Sequence, residues 1–127
     1  MKNRVTGIGG IFFKSKDPEA ARNWYNEHLG FDTNQWGSSF WWKDKRGNDA
    51  STQWCPFKDD TTYFEPSEKE FMMNFRVENL EELMAALQAE GVQVLGEIQS
   101  IEEGKFAWIL DPEGNKIELW EPNDEAL

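Results

Sequence analysis

The order strand, helix and three further strands can be read twice in this 127-residue chain, and a chain so short can satisfy both copies only by giving them one shared core. In the first copy, residues 7–15 (GIGGIFFKS) are apolar and β-prone and stop at Asp17-Pro18, where aspartate suits a helix N-cap and proline the first helical position. Ala21, Trp24, Tyr25 and Leu29 then recur at three- and four-residue steps, and Gly30 follows as a C-terminal cap residue. Strands are expected over 31–37, 38–43 and 50–57, with Asp44 to Gly47 turning between the last two.

The second copy opens on a strand over 71–77. Asn79 and Glu82 have capping-box spacing, Leu80, Leu83, Met84 and Leu87 form a helical stripe, and Gly91 ends it. Strands are expected over 92–98, 105–110 and 116–120, with a turn at Asp111-Pro112-Glu113-Gly114. Asp17 and Asn79 lie 62 positions apart, and matching TQWCP at Thr52 with ELWEP at Glu118 gives 66. The expected fold is α+β, one domain of two βαβββ modules with eight strands around a central cavity. Module one is 5–57, a linker 58–69, module two 70–122 and an acidic tail 123–127.

Composition removes several function classes. Twenty-four acids against 13 bases leave a net charge of −11, which repels phosphate backbones and anionic lipid, so neither nucleic acid nor membrane is an expected partner. One cysteine, Cys55, cannot close an intrachain disulfide, and one histidine, His28, excludes metal sites that need two imidazoles from one chain. No run approaches a membrane span and residues 1–3 open into polar sequence, giving cytoplasm as the expected location. His28 closes a helix, Cys55 has no sequence neighbour to activate it, and the tail 121–125 is expected to be solvated.

The strand followed by Asp17-Pro18, the helix carrying Trp24-Tyr25 and closing on His28-Leu29-Gly30-Phe31, and FAWILDPEGNKIELWEP from Phe106 to Pro122 resemble the vicinal oxygen chelate superfamily. That group includes glyoxalase I, bleomycin-resistance proteins and extradiol dioxygenases. The resemblance implies paired modules around a cavity and four metal-ligand places, which fall here on Gly10, Thr52, Met72 and Glu118. Glycine offers no side chain, threonine a weak neutral oxygen and methionine a soft sulfur, so only Glu118 is a competent ligand and no divalent cofactor is expected.

If the places the resemblance implies, Met72 and Glu118 among them, face inward, alternation adds Phe12, Trp54 and Trp120 to Met72 as a candidate ligand-binding surface, with Lys14, Asn74 and Arg76 as polar handles and Glu118 as the candidate catalytic carboxylate. The expected function is binding of a small amphipathic or aromatic molecule without a metal. The alternative is a lyase or isomerase resembling lactoylglutathione lyase, with Glu118 as general base or metal ligand. Net charge and tryptophans favour a cationic ligand. Seven Trp, nine Phe and two Tyr on open curved sheets lead us to expect a homodimer.

Overall fold

The computed structural model describes residues 4–126, so the polar opening at residues 1–3 and the last tail residue, Leu127, lie outside it. The elements are β1 (Val5–Ser15), α1 (Pro18–Leu29), β2 (Ser38–Lys43), β3 (Asp49–Lys58), β4 (Phe71–Val77), α2 (Leu80–Ala89), β5 (Val94–Ile101), β6 (Gly104–Leu110) and β7 (Lys116–Pro122). A 3-10 turn, Asp124–Ala126, follows β7.

Both helices start where capping chemistry places them. The Asp17 side chain accepts from the Ala20 N–H at 3.0 Å, and the Asn79 side chain from the Glu82 N–H at 3.2 Å. α1 ends at Gly30, whose φ of 71° is left-handed and costs glycine nothing.

All strands join one mixed sheet in the order β2-β3-β1-β4-β7-β6-β5. At its centre β1 and β4 run antiparallel, with Gly10 opposite Asn74 and Phe12 opposite Met72. Outward on one side, β1 pairs β3 in parallel and β3 pairs β2 antiparallel. Outward on the other, β4 pairs β7 in parallel and β7 pairs β6 antiparallel. Only this second side adds a further strand, β5 on β6.

The sheet therefore has seven strands, not the eight expected, and the missing one is 31–37. Its residues have other partners. The Phe31 ring packs on Tyr25, Phe40 and Trp54. The Asn34 side chain accepts from the N–H groups of Trp36 and Gly37, which folds the segment into a turn that presents no ladder edge. A Cβ on Gly37 would stand 1.9 Å from the Trp54 carbonyl oxygen, so this close crossing admits glycine alone.

The larger core lies between α2 and its strands and buries Val77, Leu80, Leu83, Met84, Ala107 and Leu119. A smaller one, Phe12, Phe64 and Met72, lies on the other face of the sheet with Cys55, Phe57 and Trp108 packed against it, and Phe64 reaches it from the connector 58–69. Among the described residues no helix is long and apolar enough to cross a membrane.

Candidate functional site

The pairing registers align five side-chain positions across the sheet: Gln53 on β3, Gly10 on β1, Asn74 on β4, Glu118 on β7 and Trp108 on β6. This row crosses the floor of an open cleft of about 970 Å³. Above it stand aromatic walls that include Phe12, Phe57, Tyr63, Phe106 and Trp120. The charged residues lining the cleft are Glu103 and Glu118.

Glu118 is 3% exposed and both its oxygens are engaged. Oε1 accepts from Asn74 Nδ2 at 2.6 Å, while Oε2 accepts from Trp108 Nε1 at 2.9 Å and from the Tyr63 hydroxyl. Three donors on one carboxylate offset the cost of removing it from water. The Tyr63 phenol is pushed well above its ordinary range by burial and then by the Glu118 charge and hydrogen bond, so it stays a donor. Lys116 donates to the Tyr63 carbonyl at 2.6 Å and lies over the Tyr63 and Trp108 rings, and burial lowers its pKa.

Of the residues singled out in the sequence, Phe12, Asn74, Glu118 and Trp120 line this cleft. Met72 is fully buried beneath it, among the core residues. Lys14 lines no part of it and gives its backbone N–H to the Glu70 carbonyl. Arg76 belongs to a second cleft beyond Trp120.

Thr52 and Trp54 are displaced from the expected surface. β3 presents Gln53, Cys55 and Phe57 to the cleft instead, one residue out of step with the expectation, and a one-residue slip sends every side chain to the other face. Trp54 packs with Phe13, Tyr25 and Phe31 under α1, and the Thr52 hydroxyl accepts from Trp42 Nε1 and donates to the Ile8 carbonyl.

Tyr63, Trp108 and Gln53 escaped the sequence reading. The signal for Tyr63 was an aromatic pair, Tyr63-Phe64, inside an otherwise polar connector, since aromatics in a loop generally anchor it to something apolar. Cys55 lines the cleft as a neutral thiol, pushed up to about 12 by burial and by Glu118.

The four places implied for a metal do not fit one. The Phe12 ring leans over Gly10, within 2.7 Å of where a Cβ would be. Met72 is sealed in the core, Thr52 is committed to Ile8, and both Glu118 oxygens already accept hydrogen bonds. No three Asp, Glu, His or Cys side chains gather as a metal cluster among the described residues.

The family model described as Glyoxalase/Bleomycin resistance protein/Dioxygenase superfamily matches residues 7–119. No curated protein sequence matches the chain. Among solved structures, methylmalonyl-CoA epimerase from Mycobacterium tuberculosis aligns at 23% identity over 96% of this chain and 91% of its own, with a TM-score of 0.63. A variant of the Streptomyces coelicolor methylmalonyl-CoA epimerase in complex with 2-nitronate-propionyl-CoA aligns at 18% identity, covering 94% and 99% with a TM-score of 0.67. A structure described as NAD-dependent benzaldehyde dehydrogenase from Legionella pneumophila aligns at 13% identity, covering 90% and 98% with a TM-score of 0.60. At these identities the likeness is one of fold, and the different activities in the names show how little a shared fold says about chemistry.

Proposed function

The chain belongs to the glyoxalase/bleomycin resistance protein/dioxygenase superfamily, and we propose that it is a metal-independent member that binds a flat, cationic or neutral amphipathic small molecule in the aromatic cleft. The observation that carries this reading is that Glu118 already accepts three hydrogen bonds, every donor supplied by the protein, which leaves one acceptor site on Oε1. A metal ligand or a general base needs a lone pair directed at its target. Here the carboxylate instead fixes Tyr63 and Trp108 as rigid walls and gives the floor a negative charge.

The lining supports the ligand class. Aromatic rings at Phe12, Phe57 and Phe106 and carboxylates at Glu103 and Glu118, with no cationic side chain among the lining residues, favour a cation over an anion. Burying one ring against such walls contributes a few kcal/mol at about 25 cal/mol per Å². The fold likeness to epimerases carries the alternative of Glu118 as a base or metal ligand, which would act through the remaining acceptor site on Oε1.

A thermal-shift series tests the proposal with flat cations such as berberine, neutral naphthol and the anion naphthalene sulfonate. The expected order of stabilisation is cation, neutral, anion. Stabilisation by the anion alone, or by none of them, overturns it. Turnover of any substrate that vanishes in Glu118→Gln while affinity is kept would establish the enzyme alternative.

A homodimer is part of the same proposal. α1 buries no residue, and Trp24 on α1 and Phe40, which packs on Phe31 on the same side of the sheet, are 53% and 44% exposed, an aromatic surface that a second copy would cover. Sedimentation showing a monomer at high concentration would remove this part.

A further inference from the structure

Arg76 projects from the end of β4 yet is 5% exposed. Its guanidinium lies between two indole faces, 5.7 Å from the Trp42 ring and 5.1 Å from the Trp120 ring. Nη1 donates to the Ser51 carbonyl at 3.2 Å and Nη2 to Asp124 Oδ2 at 2.7 Å. Asp124 belongs to the terminal 3-10 turn, so the chain's own tail supplies the anion. Its second oxygen, Oδ1, is buried without a partner. Arg76 and Asp124 line a second cleft of about 570 Å³ together with Thr6, Lys45 and Arg46.

We propose that the Arg76 guanidinium in this second cleft is a carboxylate-binding site that Asp124 fills as a tethered occupant, and that a small free carboxylic acid can take its place. Three features point the same way. A buried guanidinium left without an anion is costly, which makes the position an obligatory anion site. Its planar donor fork matches both oxygens of a carboxylate, yet Asp124 uses one and strands the other, so the tail fits the site less well than a free carboxylate could. The cleft beside the guanidinium, lined by Thr6, Lys45 and Arg46, gives a small acid room to reach it.

Tethering explains why the imperfect occupant holds. A carboxylate two residues beyond β7 has an effective concentration of order millimolar, so a free acid competes only when it is more concentrated or binds better. Neighbouring acids limit the site to small monoanions. Glu78 is taken up by Arg46 at 3.1 Å and Glu121 by the Leu80 N–H at 2.9 Å, while Asp44 remains at the rim.

Chemical rescue decides the matter. Asp124→Ala and the shape-conserving Asp124→Asn should both melt below the parent protein. Sodium benzoate or propionate should raise their midpoints saturably, by about 4 °C at ten times the dissociation constant, and leave the parent unmoved at the same concentration. Benzamide, and sodium chloride at matched ionic strength, should do nothing. Rescue should vanish when Arg76→Met is combined with Asp124→Ala. Equal rescue by chloride or benzamide, rescue that survives loss of Arg76, or no rescue of a folded variant overturns the proposal. If neither single variant folds unaided, refolding in benzoate but not in benzamide supports it, and failure in both overturns it. The flat cations that probe the first cleft are not expected to rescue these variants, so the two readings fail separately.

Discussion

α1 and α2 begin with the same device, a side-chain acceptor at the N-cap, and end in different surroundings. α2 sinks Leu80, Leu83 and Met84 into the core against Ala107 and Leu119. α1 buries nothing, and its aromatics join a chain of rings, Tyr25 on Trp54 and Phe31 on Phe40, that stays half open to solvent. The second half of the sheet also carries β5, where the first half has only a turn. Two runs of similar order have thus divided the work: the second half holds most of the aliphatic core, and the first supplies the exposed aromatics.

The inner strands extend the contrast to the cleft. β7 contributes a carboxylate with three donors, and β3 a thiol kept neutral. The largest expected effect comes from that thiol. Its pKa in the fold, about 12, lies above its ordinary value of 9.0, so the neutral form is the one folding favours. Its contribution is complete below pH 9 and is lost as pH rises from about 9 to about 12, on the order of 4 kcal/mol by the linkage relation. Urea unfolding should show the parent losing stability from about pH 9, whereas Cys55→Ala should fall only above about pH 10, where the raised Tyr63 phenol acts in both proteins. Iodoacetamide at pH 8 should alkylate the native thiol about a thousandfold more slowly than the unfolded one.

Next in size, Leu83→Ala should cost about 3 kcal/mol in urea unfolding, against less than about 1 kcal/mol for Trp24→Ala in the other helix. Equal losses would erase the contrast between the halves. Glu118→Gln, which turns an amide donor toward groups that themselves donate, should cost about 2 kcal/mol. The row's opposite end should be more tolerant, with Gln53→Ala below about 1 kcal/mol, because the Gln53 bonds to Ser39 and Ser51 are short-range and partly exposed. Smallest of all, Trp36→Ala should change stability by less than about 0.5 kcal/mol, since the side chain is 68% exposed at the cleft rim. A measurable loss of affinity for a flat cation in that variant would assign it to the ligand.

Caps and strand patterning were legible from residue types alone, because Asp17, Asn79, Gly30 and the apolar alternation act locally. Glu118, which lines the cleft, was singled out by the family resemblance and the repeat match rather than by any local pattern in β7. The register of β3 was not legible. Matching TQWCP to ELWEP aligns Thr52 with Glu118, whereas pairing sets Gln53 opposite Gly10 as it sets Glu118 opposite Asn74. Sequence likeness carries no information about the irregularity in β1 between Ile8 and Gly10, which shifts the partners there. Phe31 was misread because its β propensity was overridden by packing on Trp54, a tertiary effect. Arg76 was expected as a polar handle in the cavity and the tail as a solvated end, and each is held by the other across 48 positions of sequence.

The β1/β4 seam at the sheet centre sets an order of assembly. Its partners, from Val5 opposite Val77 to Phe13 opposite Phe71, are far apart in the chain, while β5, β6 and β7 are joined by tight turns. Closing a long loop costs entropy before any contact is gained, whereas hairpins form on the order of microseconds. The β5-β6-β7 meander is therefore the natural early structure and the seam the late one. During synthesis, which runs N-terminus first, β1 leaves the ribosome with one edge unpaired until Val77 has followed it. The glycines at positions 7, 9 and 10 make that waiting strand a weak template for wrong partners.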